Sequence, residues 1–352
     1  MSINLISSGF PSFSGNNILK IDKSDSFLQI KNEDDLNNKA SINETGDTTE
    51  NAYDSLEKAN DIFSLRVGVL KGLESIEEIF KGLGDITNLN TYKYSDIDKL
   101  GRFTDVKCPE ETRFRGNPKN PKFYSLHANI VSFDTKPTND RDFNGKLILS
   151  QYPMLHQFNH FWRALKYSPL VLDLTTLSDK VDPYYSCDIG RSVQLKNVSI
   201  TCCYKKSIGD GLEEFTYIVR DQKYNNEYLV HRLHFKKWID RDVLNLKDLT
   251  MLVEKCYDHE TFNPNTKNHF CGAVIHCMAG VGRSGTFAVA YALYDMIQKG
   301  LISKSTEEGE LKQILCELVL SVRMQRGPYC IQTAGQLKTI WNWLNNILER
   351  DV

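Results

Sequence analysis

Residues 271–298 read CGAVIHCMAGVGRSGTFAVAYALYDMIQ, and few backbones can accommodate them. The apolar run "CGAVIHC" reads as a short buried strand ending at Cys277. Ser284 through Gln298 reads as a helix, with Phe287, Ala290, Tyr291 and Tyr294 spaced to face a core and Gly300 as its C-terminal cap. Between them "MAGVGR" offers little side chain, so the backbone can curl tightly and turn its N–H groups inward. Inward amides ahead of a helix N-terminus make an anion nest, to which the helix dipole adds. Arg283 can give a tetrahedral oxyanion two parallel charge-assisted bonds. At the floor of such a nest every neighbouring dipole favours a thiolate. A thiolate touching bound phosphate can take the phosphoryl group, which water later removes. A Cys-x5-Arg spacing taken alone fits a buried cysteine ahead of a glycine-rich turn better than a nucleophile.

The remainder of the chain supplies the sheet and helices that such a unit needs. "FYSLHANIVSF", "KLILSQ", "LVLDLTT", "VQLKNVSITCCY", "FTYIVRD" and "YLVHRLHF" read as strands separated by Gly, Asn, Asp or Pro. Leu311, Ile314, Leu315, Leu318, Val319 and Val322 trace one later helix, and Leu337, Ile340, Trp341, Leu344 and Leu348 another. The expected fold is α/β (α+β), a twisted mixed β-sheet flanked by helices, over residues 85–352. Residues 1–60 are rich in Ser, Asn, Asp and Glu and predict a disordered leader. Residues 61–84 predict an amphipathic helix on Leu70, Leu73, Ile76, Ile79, Phe80 and Leu83, with Gly84 as its stop.

Composition narrows the function. A net charge of −2 gives no case for nucleic acid or an anionic membrane as partner. No apolar run approaches the roughly 18–20 residues of a membrane span, and the N-terminus lacks the pattern of a standard secretory signal. The nine cysteines form no CxxC pair, which suits reduced thiols in a cytosol.

The longer string "HCMAGVGRSGT" resembles the signature of the protein tyrosine phosphatases. The resemblance implies Cys277 as nucleophile and Arg283 as phosphate clamp, with Ser284 stabilising the departing thiolate. Met278, Ala279, Gly280, Val281 and Gly282 would line the phosphate loop. "VHRLHFKKWIDRDVL" resembles the family's mobile acid loop, with Trp238 and Asp240 matching and Ile239 in place of Pro. Asp240 would protonate the leaving phenolate and then activate water. "VRMQRGPYCIQTAGQLKTIW" resembles the glutamine loop, where Gln332 would position water with Gln336 in support. "LGRFTDVKCPEETRF" resembles the substrate loop: Phe103 would stack on phosphotyrosine and Asp105 would bind the peptide backbone. Asp179 and Lys180 fall where the family has a Glu-Lys pair, and His127 stands near a family Asn; neither position carries a role into this reading.

The resemblance covers roughly residues 85–350. It implies a tyrosine phosphatase acting on phosphotyrosyl proteins, without metal or other cofactor. A phosphotyrosine-binding pseudophosphatase and a dual-specificity or phosphoinositide phosphatase are the alternatives. The Ser/Asn/Ile-rich leader resembles the export leaders of bacterial effectors, and an ordinary flexible tail fits its composition as well. That would imply an export chaperone on the N-terminal region and action in a host cytosol.

Overall fold

The computed structural model describes residues 75–88, 93–95, 101–115, 126–133, 146–168, 170–209, 211–262 and 272–350. The leader expected over 1–60 lies outside the described residues, as do Leu70 and Leu73.

Eight strands form one sheet: β1 (Ala128–Ser132), β2 (Lys146–Ser150), β3 (Leu170–Asp173), β4 (Ser192–Gln194), β5 (Val198–Gly209), β6 (Leu212–Asp221), β7 (Asn226–Phe235) and β8 (Val274–His276). Their spatial order is β1-β2-β8-β3-β7-β6-β5-β4. The four middle strands β2, β8, β3 and β7 run parallel, and antiparallel strands extend the sheet on both sides. Six helices accompany them among the described residues: α1 (Ile76–Asn88), α2 (Phe158–Ala164), α3 (Leu246–Phe262), α4 (Gly282–Gln298), α5 (Glu308–Arg326) and α6 (Ala334–Glu349).

Strand alternation splits the core in two. Leu147, Leu149, Leu170, Leu172 and Ile275 point to one face, where they pack with α1 and α3–α6. Ile148, Val171 and Val274 point to the other and join Phe158, Phe161, Trp162 and Tyr184. A parallel strand buried on both faces has no polar side to show, which explains the unbroken apolar runs in β3 and β8. The mixed sheet flanked by helices is the expected fold class.

Three local features differ from or refine the sequence reading. "VQLKNVSITCCY" is two strands, because Leu195 N–H donates to Val198 O at 2.8 Å and folds β4 back on β5. Gly300 sits at φ +69 and closes α4: its N–H donates to Ile297 O at 2.9 Å, and Leu301 N–H to Met296 O at 2.9 Å. Gly84 does not stop α1, which runs on to Asn88. A glycine inside a helix costs only about 1 kcal/mol, and burying Leu83 and Ile86 against the core offsets that. The start of α1 is fixed by a capping box: Ser75 N–H donates to Glu78 Oε2 at 3.2 Å, and Glu78 N–H to Ser75 Oγ at 3.1 Å.

Helix α1 packs on α5 and α6, with Ile79 and Leu83 buried and Lys338 Nζ 3.4 Å from Glu77 Oε1. Among the described residues no helix is long and apolar enough to cross a membrane. Because Leu83 is fully buried, Leu83→Ala is expected to lower stability by about 2–5 kcal/mol. Urea unfolding checks this; a loss under about 0.5 kcal/mol, the range of ordinary surface substitutions, would mean that α1 lies outside the cooperative unit.

Candidate active site

Strand β8 lies between β2 and β3 and ends one residue before Cys277. Residues 277–281 then curl into the N-terminus of α4. Gly280 stands at φ +68, and a Cβ there would lie 2.1 Å from Ser150 O, so only glycine fits. The curl is held from behind by Arg326 at the end of α5. Its Nε donates to Gly280 O at 3.1 Å, its Nη2 to Ala279 O at 3.1 Å and its Nη1 to Asn129 Oδ1 at 2.9 Å. With the carbonyls of 279 and 280 turned back toward Arg326, amides can face the sulfur. Gly280 N–H does so, donating to Cys277 Sγ at 3.3 Å.

His127 completes this backing. Its Nε2 donates to Val106 O at 2.8 Å, leaving Nδ1 to accept from Arg326 Nη2 at 3.2 Å. Burial first and the Arg326 charge second push its pKa down to about 3, so the ring stays neutral and this tautomer persists.

Arg283 is the second residue of α4 and is fully buried. Its Nη1 donates to Leu174 O at 2.9 Å, to Trp238 O at 3.0 Å and to Asp179 Oδ2 at 2.9 Å; its Nη2 reaches Asp179 Oδ1 at 3.2 Å. Asp240 Oδ1 lies 3.2 Å from the same Nη2. Burial works against the charge, but Cys277, Asp179 and Asp240 outweigh it and hold Arg283 above its ordinary pKa. The guanidinium is thus fixed and charged, with Nε buried and without a hydrogen-bond partner.

The segment expected as the acid loop follows β7. Trp238 is buried and its Nε1 donates to Asp242 O at 3.0 Å, while Ile239 and Asp240 are exposed. Arg241 turns at φ +59 and lets the loop reverse after Asp240. Gln332 lies against the loop that follows Cys277: a Cβ on Gly282 would fall 2.2 Å from Gln332 Oε1. Gln332 N–H donates to Gln336 Oε1 at 2.8 Å. Gln336 Nε2 and Ser284 Oγ are buried and, like Arg283 Nε, unpartnered. Buried polar groups are normally satisfied, so three such groups around one loop are suited to a polar ligand or to water.

Phe103 is half-buried against the larger core, and Gln151 holds its backbone: Phe103 N–H donates to Gln151 Oε1 at 3.2 Å, and Gln151 Nε2 to the Phe103 carbonyl at 3.2 Å. Asp105 is exposed on the same segment. Met278 is half-buried among the residues of the smaller core, and its carbonyl accepts from Tyr152 N at 3.0 Å. Among the described residues no group of three His, Cys, Asp or Glu side chains converges as metal ligands.

Cys277, Arg283, Asp240, Ser284, Gln332 and Gln336 are therefore neighbours. Four participants had no role in the sequence reading. Asp179 is the main carboxylate of Arg283, Arg326 orients the loop, and Gln151 and His127 brace the segments on either side. Arg326 stands inside the quoted glutamine-loop string, but spacing alone does not distinguish a buried structural arginine from a solvated one.

The family described as protein-tyrosine phosphatase matches residues 98–346. The chain belongs to that family. It is 25% identical over 263 residues to tyrosine-protein phosphatase 2 of Schizosaccharomyces pombe, covering 72% of this chain and 34% of that protein. It is 26% identical over 253 residues to tyrosine-protein phosphatase non-receptor type 61F of Drosophila melanogaster, covering 68% and 41%. The chain thus spans about a third to two fifths of these relatives' lengths. The catalytic domain of human protein tyrosine phosphatase non-receptor type 18 superposes with a TM-score of 0.63 at 18% identity, over 80% of this chain and 99% of that one. PTPN18 in complex with HER2-pY1196 phosphopeptides superposes at 0.64 and 17%, over 83% and 99%. Both share the fold of this phosphatase domain.

The buried imidazoles of the domain predict acid sensitivity. His127 is pushed down to about 3, and His234 and His259 to about 4, in each case first by burial. Between those values and the unfolded pKa near 6.5, the unfolded chain binds more protons, so stability falls as pH falls. The stability these groups contribute is full above about pH 6.5 and is lost progressively toward pH 4. Urea midpoints at pH 7.5, 6 and 5 are expected to decline in that order; a flat series would contradict it.

Proposed function

We propose that this chain is a protein tyrosine phosphatase that hydrolyses phosphotyrosine in proteins through a cysteinyl-phosphate intermediate, without a metal. The observation that carries this reading is the convergence on one buried guanidinium of Asp179, the Trp238 carbonyl and Asp240, beside a loop whose Gly280 amide points at Cys277 Sγ. The PTPN18 relative was solved with a phosphopeptide, which supports phosphotyrosyl proteins as partners.

In the first step the Cys277 thiolate attacks phosphorus and the bond from phosphorus to the tyrosyl oxygen breaks. Asp240, acting as general acid, gives a proton to the departing phenolate. The equatorial oxygens take hydrogen bonds from the loop amides and from Arg283 Nε, the donor left free of protein partners. In the second step Gln332 and Gln336 orient a water that attacks phosphorus. Asp240, now the carboxylate, accepts its proton, and the sulfur–phosphorus bond breaks. Ser284 Oγ, buried beside the loop, donates to the returning thiolate. Phe103 forms a wall for the aromatic ring, and Asp105 accepts from the peptide backbone.

Each step assigns a separable defect. Cys277→Ser is expected to abolish phosphate release from a phosphotyrosyl peptide in EDTA while still retaining the peptide. Asp240→Asn is expected to lower kcat by roughly 10²–10⁴-fold with little change in binding. Wild-type protein that binds the peptide tightly and releases no phosphate would instead identify a pseudophosphatase.

The leader's resemblance to effector leaders supports delivery into a host cytosol with the help of an export chaperone. Deleting residues 1–40 is expected to stop delivery and leave peptide hydrolysis intact. Delivery unchanged by the deletion would remove that part of the reading.

A further inference from the structure

The segments that gather around Arg283 also carry apolar side chains for which the fold has no use. Leu177 is 89% exposed and sits two residues before Asp179. Ile239 is 57% exposed and directly precedes Asp240, and Val243, on the same loop, is 53% exposed. Tyr329 is 55% exposed on the segment that leads into Gln332. Consecutive Cα atoms are about 3.8 Å apart, so Leu177 lies within about 8 Å of Asp179 and Ile239 within about 4 Å of Asp240. Both carboxylates touch one guanidinium, so the backbone at Leu177 and at Ile239 lies close to the same guanidinium, with both side chains exposed. Val243 Cγ1 would lie 3.1 Å from a Cβ on Gly335, which carries the rim from the acid loop to the start of α6 beyond Gln332.

Single exposed apolar residues on a protein surface call for no explanation, but a group around a functional cleft does. A Ser or Thr at 177, 239 or 329 would fold equally well, since none of these side chains fills the core. Charged side chains on the rim carry both signs: Lys180 and Arg241 are exposed, and so are Asp105 and Asp242. Neither sign is alone on these segments, and their apolar surface can be covered by apolar neighbours of the phosphotyrosine.

We infer that Leu177, Ile239, Val243 and Tyr329 form an apolar rim that selects phosphotyrosyl peptides with large apolar residues flanking the phosphotyrosine. This rests on the phosphatase reading above. It assigns the rim one occupant, the substrate segment on either side of the ring, because the rim is continuous with the phosphate loop.

The test uses the full chain and three peptides in which the phosphotyrosine is flanked on both sides by Leu and Phe, by Ser, or by Asp and Glu. Each kcat/KM is divided by the same enzyme's value for p-nitrophenyl phosphate, which has no flanking residues. The apolar peptide is expected to exceed the Ser peptide by about tenfold, as partly buried apolar contacts allow, with the acidic peptide no better than Ser. Leu177→Ser, Ile239→Ser and Tyr329→Ser are each expected to lower that apolar-to-Ser ratio by about two- to fivefold. Equal rates for the three peptides, or a faster acidic peptide, would overturn the inference, as would a preference unaffected by all three variants. If neither p-nitrophenyl phosphate nor any peptide is hydrolysed in a Cys277-dependent way, it is the phosphatase reading that fails.

Discussion

A guanidinium cannot shed its charge, so burying one is stable only if the protein surrounds it with acceptors. Arg283 imposes that requirement on the whole domain. Leu174 O and Asp179 come from the segment after β3, Trp238 O and Asp240 from the segment after β7, and Arg283 itself follows β8. Strands β7, β3 and β8 are adjacent and parallel, so their carboxyl ends open on the same edge of the sheet. Ligands of open α/β sheets bind at such edges, and here one cation on the connection after β8 takes its partners from the two neighbouring connections.

Arg326 does different work at the same loop. Its acceptors are the carbonyls of 279 and 280, the Asn129 amide and the His127 ring, with no carboxylate among the described residues. Its positive charge therefore meets no carboxylate among the described residues and sits behind the loop whose Gly280 amide points at Cys277 Sγ. One arginine orients the peptide groups from behind; the other is held at the front with Nε free of protein partners. Together they explain why so little side chain is needed between Cys277 and Arg283: the loop acts through its backbone.

What the sequence made legible follows from range. The strand, loop and helix around Cys277 are local, and their residue types leave few choices. The unbroken apolar runs of the middle strands likewise report burial directly. Nothing local marks Asp179 as the main partner of a residue 104 positions away, or Gln151 as the clamp on Phe103. Gly84 misled because helix propensity is a weak term beside the burial of Leu83 and Ile86. The split between β4 and β5 was hidden because both halves are strand-like and only the Leu195–Val198 contact divides them.

The buried pair Asp173–Arg232 shows how far the requirement set by Arg283 extends. Arg232 Nη2 donates to Asp173 Oδ2 at 2.6 Å across the β3–β7 seam, and its guanidinium carbon lies 3.4 Å over the Tyr185 ring. Asp173 Oδ1 accepts from Thr175 N–H at 2.9 Å and Thr175 Oγ1 at 2.6 Å, which fixes the turn after β3. His234 Nε2 donates to Thr175 O at 3.0 Å and ties that turn to the end of β7. The turn so fixed begins with Leu174 and leads on to Asp179, while β7 leads on to Trp238 and Asp240. A pair of this kind rarely adds net stability over apolar residues of similar size. Its value here lies in register: it locks together the two strand ends that must deliver their acceptors to the same guanidinium.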